Sequence, residues 1–438
     1  MFSNPRSRRL TTVVAGASIM ALALSACSSD SDAEGTSTNA DGKVELTIAT
    51  FNNFGYTDEL LAEYTAANPN VVIKHTKAAK TEDARSNLTT KLAAGGDGLA
   101  DIEGIEVDWM PELDMISTAF ADLSDPEVEG RYVDWKLAQG TASDGTLIGL
   151  GTDIGPAAIC YRSDLFEAAG LPTDPAEVAE LLGGEDATWD EYFQVGQQFV
   201  GASDTAWYDS SLAIMQGMIG QVDAAYEDPT TGEPTDLSAN TEVKGIYDSI
   251  NAVAPDLSAH LDQWSPDWDA AFQNSGFATM LCPAWMTGPI EERAGGVDGW
   301  NVADVFPGGG GNWGGSFLTV PKAGKNVEEA KKLALWLTAP EQQIKAFANA
   351  GTFPSQVAAY EDETLTSATN DFFNDAPVGQ IFINRSNAVN PVPPFKGQNY
   401  FAIHQAVQDA LKRVDVEQTQ QPDEAWTQAV SDFNNLGF

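Results

Sequence analysis

Histidine, cysteine and basic residues are scarce in this chain of 438 residues. The three histidines, His75, His260 and His404, have no partner residue at a metal-ligand spacing, and neither a Gly-x-Ser-x-Gly elbow nor a phosphate-binding loop occurs. The chain has 23 Lys and Arg but 64 Asp and Glu, which gives a net charge of −41. Since phosphate contacts need clusters of basic residues, nucleic acid is disfavoured as a partner. The sequence therefore predicts no metal, no cofactor and no nucleic-acid site.

The N-terminus has the pattern of an export signal. Arg6, Arg8 and Arg9 precede an apolar run over residues 10–24, which is shorter than the about 20 residues of a membrane-spanning helix. Leu-Ser-Ala-Cys at its end resembles the bacterial lipobox. Residues 1–26 are therefore predicted to be a lipoprotein signal peptide, Cys27 the acylated (palmitate-bearing) residue, and residues 27–43 a flexible tether on the outer face of the cytoplasmic membrane. The alternative is an ordinary secretory signal that is followed by a cysteine.

Two cysteines remain, Cys160 and Cys282, and both lie in apolar runs typical of strands. A disulfide persists outside the membrane, but free cysteines are also commonly buried. The sequence leaves open whether these two are bonded or are two buried thiols.

The order of elements predicts an α/β fold. Residues 44–50 are typical of a strand, Thr57 can cap a following helix, and a second strand begins at Val71, which favours a parallel sheet with helices on its faces. Thr188 and Glu191 form a capping-box pattern. Residues 147–156 are a glycine-rich connector, interpreted as a crossing between two lobes, and the polar residues 222–240 are predicted to be a surface excursion.

Aromatic, amide and carboxylate side chains recur where predicted strands end. The candidate ligand contacts are Asn52, Asn53, Glu106, Asp108, Trp109, Asp153, Trp268, Trp285, Trp313, Gly314 and Gly315. Indoles stack on the C–H faces of pyranose rings, carboxylates and amides bond hydroxyls, and glycines beside Trp313 let the backbone approach a ligand closely. This combination favours a sugar site. The structural alternatives are core packing for Trp109 and Trp268, and capping or loop fixing for Asn52, Asn53 and Asp108.

Several of these segments together resemble a known family. They are the lipobox, Phe51-Asn52-Asn53, Ile105-Glu106-Val107, the run from Thr152 to Phe166, Cys282-Pro283-Ala284-Trp285-Met286 and Asn312-Trp313-Gly314-Gly315-Ser316. They are similar to the extracellular solute-binding lipoproteins (family 1) of carbohydrate ABC importers, and most of all to the cello-oligosaccharide- or cellobiose-binding members of Gram-positive bacteria. Asp108-Trp109 is bulkier than the polar residues of those relatives, a departure that concerns the number of sugar subsites.

The resemblance implies a two-lobed periplasmic-binding-protein fold (type II, maltose-binding-protein-like) with a hinge and an interlobe cleft. It implies residues 44–152 plus 316–370 as lobe 1 and residues 153–315 plus 371–438 as lobe 2. Trp285 and Trp313 would stack on sugar, Asp153 would accept a hydroxyl beside the hinge, and Glu106 would be a polar contact from lobe 1.

The expected function is capture of an oligosaccharide by a monomer, without catalysis, and delivery to an ABC permease pair. The alternatives are a secreted glycoside hydrolase that uses cleft carboxylates, and a sensory sugar-binding module. Cellobiose and cello-oligosaccharides are the expected ligands, with other β-gluco-, xylo- or malto-oligosaccharides as alternatives.

Overall fold

The structure is a computed structural model that describes residues 38–438. The predicted signal peptide, Cys27 and most of the predicted tether lie outside the described residues. Within residues 38–438 no helix has the length and apolar character needed to cross a bilayer.

Strands and helices alternate along most of the described chain. The strands are β1 (Val44–Phe51), β2 (Val71–Ala78), β3 (Ile102–Glu106), β4 (Leu150–Gly151), β5 (Asp153–Ile154), β6 (Ala157–Arg162), β7 (Ala206–Tyr208), β8 (Phe277–Pro283), β9 (Trp300–Ala303), β10 (Ser316–Thr319) and β11 (Phe353–Pro354). The helices are α1 (Asp58–Ala67), α2 (Thr81–Ala93), α3 (Met110–Asp114), α4 (Asp134–Gly140), α5 (Ser163–Ala168), α6 (Pro175–Leu181), α7 (Trp189–Val200), α8 (Ser211–Ile219), α9 (Thr241–Leu257), α10 (Pro266–Ala271), α11 (Thr287–Ala294), α12 (Val327–Leu337), α13 (Pro340–Ala350), α14 (Glu363–Thr366), α15 (Val378–Ala388), α16 (Tyr400–Asp415) and α17 (Pro422–Asn435). Short 3₁₀ helices include Val107–Trp109, Ala284–Met286 and Val357–Glu361.

The first sheet has five strands in the order β2-β1-β3-β10-β4. β1 runs parallel to β2 and β3, as the sequence predicts, but β10 runs antiparallel to both β3 and β4, so the sheet is mixed. Ser316, the first residue of β10, lies opposite Glu106, the last residue of β3. The chain therefore enters β10 at the edge where the parallel strands end.

The second sheet has four strands in the order β7-β8-β6-β9. β6 is antiparallel to β8 and β9, and β7 is parallel to β8. A disulfide joins Cys160 of β6 to Cys282 of β8, with a Cα–Cα distance of 5.4 Å. The two central strands of this sheet are thus linked covalently as well as by hydrogen bonds.

The chain passes between the sheets at two neighbouring places. Residues 152–156 lead from β4 of the first sheet to β6 of the second, and residues 304–315 lead back from β9 to β10. Between them, β5 pairs with β11 in a small two-stranded sheet. The expected two-lobed α/β architecture is confirmed, with crossing strands where a hinge needs them.

Within residues 38–438, apolar side chains form three buried clusters. One lies on the first sheet, one covers the face of the second sheet that packs on α7, α8, α9 and α16, and the third includes Cys160 and Cys282 on the second sheet. Phe353 and Leu365 belong to this third cluster, so the chain already packs against the second sheet before residue 370. The predicted lobe boundary at residue 370 stays a prediction.

Local capping signals agree with the structure. Thr57 Oγ1 accepts from the backbone N–H of Leu60 at the start of α1, and Thr188 and Glu191 form a reciprocal capping box at α7. The expected surface excursion at residues 222–240 is confirmed for residues 228–231, which are exposed, but is wrong for the start of the segment. Tyr226 is completely buried in the core, and its hydroxyl group is 2.8 Å from Nδ1 of His404.

Candidate functional site

Trp313, Gly314 and Gly315 lie at the end of the second crossing segment, next to the first. The backbone N–H of Trp313 donates to the carbonyl of Gly155 at 2.8 Å. Gly314 and Gly315 have φ values of 78° and 101°, in the left-handed region that favours glycine. A Cβ at Gly315 would lie 2.8 Å from the carbonyl oxygen of Asp153. The two glycines therefore let the crossing segments pack in direct contact.

Three tryptophans form a continuous surface at this junction, called here the aromatic wall: Trp264, Trp285 and Trp313. Trp285 Nε1 donates to the carbonyl of Trp313 at 2.8 Å, and their rings meet edge to face with centroids 5.8 Å apart. The ring of Trp264 lies nearly parallel to that of Trp285, 20° off and 6.2 Å away, and 41% of Trp264 is exposed. Exposed indole surface next to a crossing segment is suited to stacking on a sugar ring.

Trp264 is not among the ligand contacts predicted from the sequence, which include Trp268 instead. Ser265 caps α10 by accepting from the backbone N–H of Trp268 at 3.2 Å, so Trp264 lies outside the helix and Trp268 in its first turn. Trp268 is 0% exposed, and its indole N–H donates to Asp209 at 2.9 Å. The Ser-Pro pair after Trp264 indicates in the sequence that Trp264 lies outside the helix, because serine at the N-cap and proline at N1 mark a helix start.

Trp109 also lies in a core. Its side chain is buried in the cluster on the first sheet, with its ring centroid 5.3 Å from that of Phe51. Both rings are buried, with 3% of Trp109 and 0% of Trp268 exposed, and a ligand contact for either of them stays a prediction. Packing, the alternative raised from the sequence, describes both.

Glu106, Asp153 and the buried Lys136 form a cluster of ionisable side chains beneath the glycine turn. Glu106 Oε2 accepts from the backbone N–H of Asp108 at 2.7 Å, and Asp153 Oδ1 accepts from the backbone N–H of Ser316 at 2.8 Å. Lys136 of α4 is 1% exposed, and its Nζ lies 3.7 Å from the ring centroid of Phe317. No hydrogen-bond partner of this Nζ is found within the part of the chain that the structure describes.

Burial dominates the protonation of these groups. It raises the pKa of Glu106 to about 8, assisted by the nearby charge of Asp108 and opposed by Lys396 and Lys136. It lowers the pKa of Lys136 to about 8, against the pull of Asp153 and Glu106. The pKa of Asp153 is raised by burial, in opposition to Lys136. A protonated Glu106 can donate as well as accept a hydrogen bond, which suits a hydroxyl-bearing ligand.

Asp108 pairs with a residue that no local sequence pattern identifies. Its carboxylate forms an ion pair with Lys396, from the loop that precedes α16, and Lys396 Nζ lies 4.8 Å from the ring centroid of Tyr400. Asp108 follows β3 of the first sheet, while Tyr400 belongs to a core cluster on the second. This ion pair therefore bridges the two lobes.

Asn52 and Asn53 lie just beyond β1, at the same sheet edge as Glu106. Both are exposed. Asn52 has a positive φ of 46°, and its Nδ2 donates to Thr81 Oγ1 at 3.1 Å. Asn53 Oδ1 accepts from the backbone N–H of Gly55 at 3.1 Å. Both amides thus fix the loop, as the structural alternative proposed, while keeping exposed surface at the edge.

A groove separates the lobes on the side of Lys396. It comprises a cavity of about 240 Å³, which begins at Asn312 beside Trp313, and a wider one of about 660 Å³, which reaches Met115 and Phe438. Val107, Gln139, Pro393, Pro394 and Lys396 line both. Because they share these walls, we treat the two cavities as one space, called here the interlobe groove. Asn312 and Val107 connect it with the junction, while the aromatic wall itself lines neither cavity.

Among residues 38–438 no three His, Cys, Asp or Glu side chains cluster as metal ligands would. What the junction offers is indole surface, carboxyl groups and a buried cation, which are groups for binding polar molecules with apolar faces.

Comparison with known proteins also indicates a binding protein. Residues 59–374, well over half of the chain, match the family described as bacterial extracellular solute-binding protein. The arabinooligosaccharide-binding protein of Bacillus subtilis (strain 168) is 25% identical over 405 residues, which cover 85% of this chain and 87% of the relative.

Solved structures give the same result. A protein described as extracellular solute-binding protein family 1 is 48% identical and superposes with a TM-score of 0.79, covering 89% of this chain and 99% of that one. The ABC-transporter-associated binding protein of B. animalis subsp. lactis Bl-04, solved with β-1,6-galactobiose, is 20% identical with a TM-score of 0.73, covering 90% of this chain and 98% of that one. The expected two-lobed fold of the maltose-binding-protein type is confirmed. The chain belongs to the bacterial extracellular solute-binding proteins.

Proposed function

We propose that this protein is the sugar-binding component of an ABC importer and captures an oligosaccharide between its lobes. The observation that carries the proposal is the aromatic wall beside the hinge, with exposed Trp264 stacked on Trp285 and the carboxyl groups of Glu106 and Asp153 at the same junction. Indoles take up the apolar faces of sugar rings, and carboxyl groups replace the water bonds of hydroxyls. The B. subtilis relative named for arabinooligosaccharides and the structural relative solved with β-1,6-galactobiose support a sugar ligand.

Within the sugars, cellobiose and cello-oligosaccharides are our first choice. The support is the resemblance of the segments around Cys160, Trp285 and Trp313 to cello-oligosaccharide-binding proteins. Other β-gluco-, xylo-, malto- and arabino-oligosaccharides are the competing ligands, because relatives of similar fold carry different sugars in their names.

The mechanism is capture by hinge closure. A sugar that contacts both lobes binds the closed form better than the open form, and this differential affinity shifts the population to the closed form. The closed protein then docks on a permease pair, which moves the sugar inward with energy from a separate ATPase. Cys27 would tether the protein by lipid to the outer face of the membrane. This role requires binding and release of the sugar but no chemical step.

The test uses the mature chain without its lipid. Cellobiose, cellotriose, maltose, xylobiose, arabinotriose, β-1,6-galactobiose and monosaccharides are titrated by calorimetry and by thermal unfolding, since a ligand that binds only the folded state raises the melting temperature. We expect a β-linked gluco-oligosaccharide to bind best. Trp264→Ala, Trp285→Ala and Trp313→Ala should each weaken it by about tenfold or more, because each removes a stacking surface.

Val357→Ala is the matched control, because it shortens an exposed apolar side chain on the 3₁₀ helix Val357–Glu361. It should bind like the wild type. If another oligosaccharide binds best, the importer proposal stands and the cello-oligosaccharide ligand is wrong. If no sugar binds, or if chromatography of the mixtures detects cleaved sugar, capture is not the function.

A further inference from the structure

The loop between α9 and α10, residues 258–265, contains two strained positions. His260 and Trp264 have φ values of 58° and 67°, in the left-handed region that bulky side chains rarely adopt. Trp264 is the exposed tryptophan of the aromatic wall. Strain of this kind persists only where the surrounding contacts hold the backbone in place. The contacts that fix this loop therefore also fix the position of Trp264.

A buried carboxylate at the end of α16 anchors the start of the loop. Asp415, whose side chain is 0% exposed, accepts from Ser258 Oγ at 2.9 Å, and its other oxygen pairs with Nδ1 of His260 at 2.8 Å. Ser258 Oγ in turn accepts from the backbone N–H of His260 at 3.0 Å. Both oxygens of Asp415 are thus engaged by the loop, and one of the two partners is a side chain whose charge depends on pH.

A second buried carboxylate anchors the other end of the loop. Asp209, which directly follows β7 and is 0% exposed, accepts from Gln263 Nε2 at 2.7 Å and from the indole N–H of Trp268 at 2.9 Å. The guanidinium carbon of Arg293 on α11 lies 5.1 Å from the ring centroids of both Trp264 and Trp268. Trp264 is therefore held from both ends of its loop and from a neighbouring helix.

The ionisable groups around the pair of His260 and Asp415 come from α16, β7, α9 and the loop itself. Lys412 of α16 donates to Asp262 of the loop at 2.6 Å, a second ion pair between the same helix and loop. The remaining groups are Asp409 and Glu417 at α16, Tyr208 and Asp209 at β7, and Asp256 in the last turn of α9. The hydrogen bond with Asp415 raises the pKa of His260 from 6.5, although burial lowers it. The pair is therefore charged at low pH and loses the charge of His260 as pH rises through this raised pKa.

We propose that His260 and Asp415 are positioning residues for Trp264, and that their ion pair keeps the loop in the strained conformation that presents this indole to the sugar. When His260 is neutral, the loop can relax, and the fraction of molecules that present Trp264 falls. Apparent sugar affinity falls with that fraction, so sugar binds more weakly as pH rises. The effect on affinity rests on the proposed sugar-binding function, whereas the position of Trp264 is measurable without sugar.

The first experiment follows Trp264 in the absence of sugar. Acrylamide quenching of tryptophan fluorescence is compared between proteins with and without Trp264→Phe, from about pH 6.5 to about pH 8.5, and the difference is the signal of Trp264. In the wild type, we expect this quenching to rise by about twofold over the range, because a relaxed loop exposes more of the ring. His260→Asn removes the ionisable ring at a partly exposed position and tolerates the positive φ. It should show the higher quenching at every pH.

The second experiment measures sugar affinity at the same pH values. Calorimetric titrations use cellobiose, cellotriose, maltose and β-1,6-galactobiose. With the sugar that binds, His260→Asn should weaken affinity by about fivefold at the lower pH and by less than about twofold at the higher pH, relative to the wild type. In the Trp264→Ala background it should cause no further loss, because its effect acts through that indole.

His75→Asn is the matched control, since His75 lies on β2 of the first sheet and bonds Thr50 Oγ1 instead of a carboxylate. Its affinity should match the wild type at both pH values. Asp415→Asn, which removes the charge from the other partner, should reproduce the profile of His260→Asn.

The two readouts separate this inference from the importer function. If the quenching of Trp264 is the same in His260→Asn and the wild type at the lower pH, the positioning role is wrong. An affinity loss that persists in the Trp264→Ala background, or wild-type affinity in Asp415→Asn, also overturns it while the importer function stands. If no sugar binds although the quenching of Trp264 depends on His260, the importer function is wrong and the positioning of Trp264 stands.

Discussion

At the scale of single residues, Glu106 links the site to the pH of the surroundings. Burial, followed by the charge of Asp108, raises its pKa from 4.5 to about 8. Between these values the folded protein keeps a proton on Glu106 that the unfolded chain releases. The folded state then binds more protons than the unfolded state, so this carboxyl makes the free energy of unfolding fall as pH rises from about 4.5 to 8.

Replacing Glu106 with glutamine should reduce this pH dependence, because an amide does not ionise. We expect the free energy of unfolding of Glu106→Gln to fall less between pH 5 and pH 8 than that of the wild type, by on the order of 2 kcal/mol. Some decline should remain, since burial also raises the pKa of Glu103 to about 7 and that of Asp209 to about 6. Urea unfolding at pH steps of one unit measures the difference.

The control for this experiment is Glu167→Gln, which makes the same chemical change at an exposed position of α5. Its pH dependence should match that of the wild type. Identical slopes in all three proteins would show that Glu106 ionises in the folded state as readily as in the unfolded chain.

At the scale of elements, the disulfide between β6 and β8 closes a loop with a sequence separation of 122. A crosslink over such a loop removes much of the freedom of the unfolded chain, worth about 5 kcal/mol in the chain-entropy account and about 2–5 kcal/mol in measured cases. We expect Cys160→Ala/Cys282→Ala to lower the free energy of unfolding by that measured range. Denaturant unfolding of the oxidised protein and the double variant provides the measurement.

A reducing agent supplies the internal control for the disulfide. It should destabilise the wild type toward the level of the double variant and leave the double variant unchanged. A wild type that is insensitive to reduction while unfolded chains react fully would contradict a stabilising role for this bond.

Local sequence patterns predict individual helices and strands well. They do not predict which strands pair when those strands are far apart in the sequence. The caps at Thr57 and Thr188 and the strands around Val44, Val71 and Cys282 follow from neighbouring residues. The antiparallel pairing of β10 with β3 does not follow from neighbouring residues. The two strands are about two hundred residues apart in the sequence, and their pairing depends on the whole fold.

The candidate site shows the same division between local and distant information. The tryptophans at Trp285 and Trp313 stand out because glycines or a strand end surround them in the sequence. Lys396 does not stand out in the sequence, because its partner Asp108 is 288 residues away. Gln139 also has no signal in the sequence, because its place in the wall of the groove, with an Oε1 that has no hydrogen-bond partner among residues 38–438, depends on the folded chain.

At the scale of the whole molecule, two contacts among the described residues join the lobes near Tyr400 and Phe401, at the start of α16. Lys396 pairs with Asp108, and the Arg85 guanidinium of α2 lies 4.3 Å from the ring centroid of Phe401 on α16. Asp108 and Arg85 belong to the lobe of the first sheet, whereas Phe401 lies on a helix packed against the second sheet. Both contacts must separate when the lobes move apart, so they stabilise the closed form relative to the open one.

Lys396→Met should therefore shift the sugar-free protein toward the open form, because it removes the bridging charge and keeps most of the side-chain length. Small-angle X-ray scattering should give a larger radius of gyration than for the wild type without sugar, and the same radius with saturating sugar. Apparent sugar affinity should fall by about two- to fivefold, the effect of losing one partly exposed ion pair from the closed state. The matched control is Lys331→Met, which removes an ion pair with Glu328 within α12 and so should leave both radii unchanged. An equal radius for Lys396→Met and the wild type without sugar would mean that closure does not depend on this bridge.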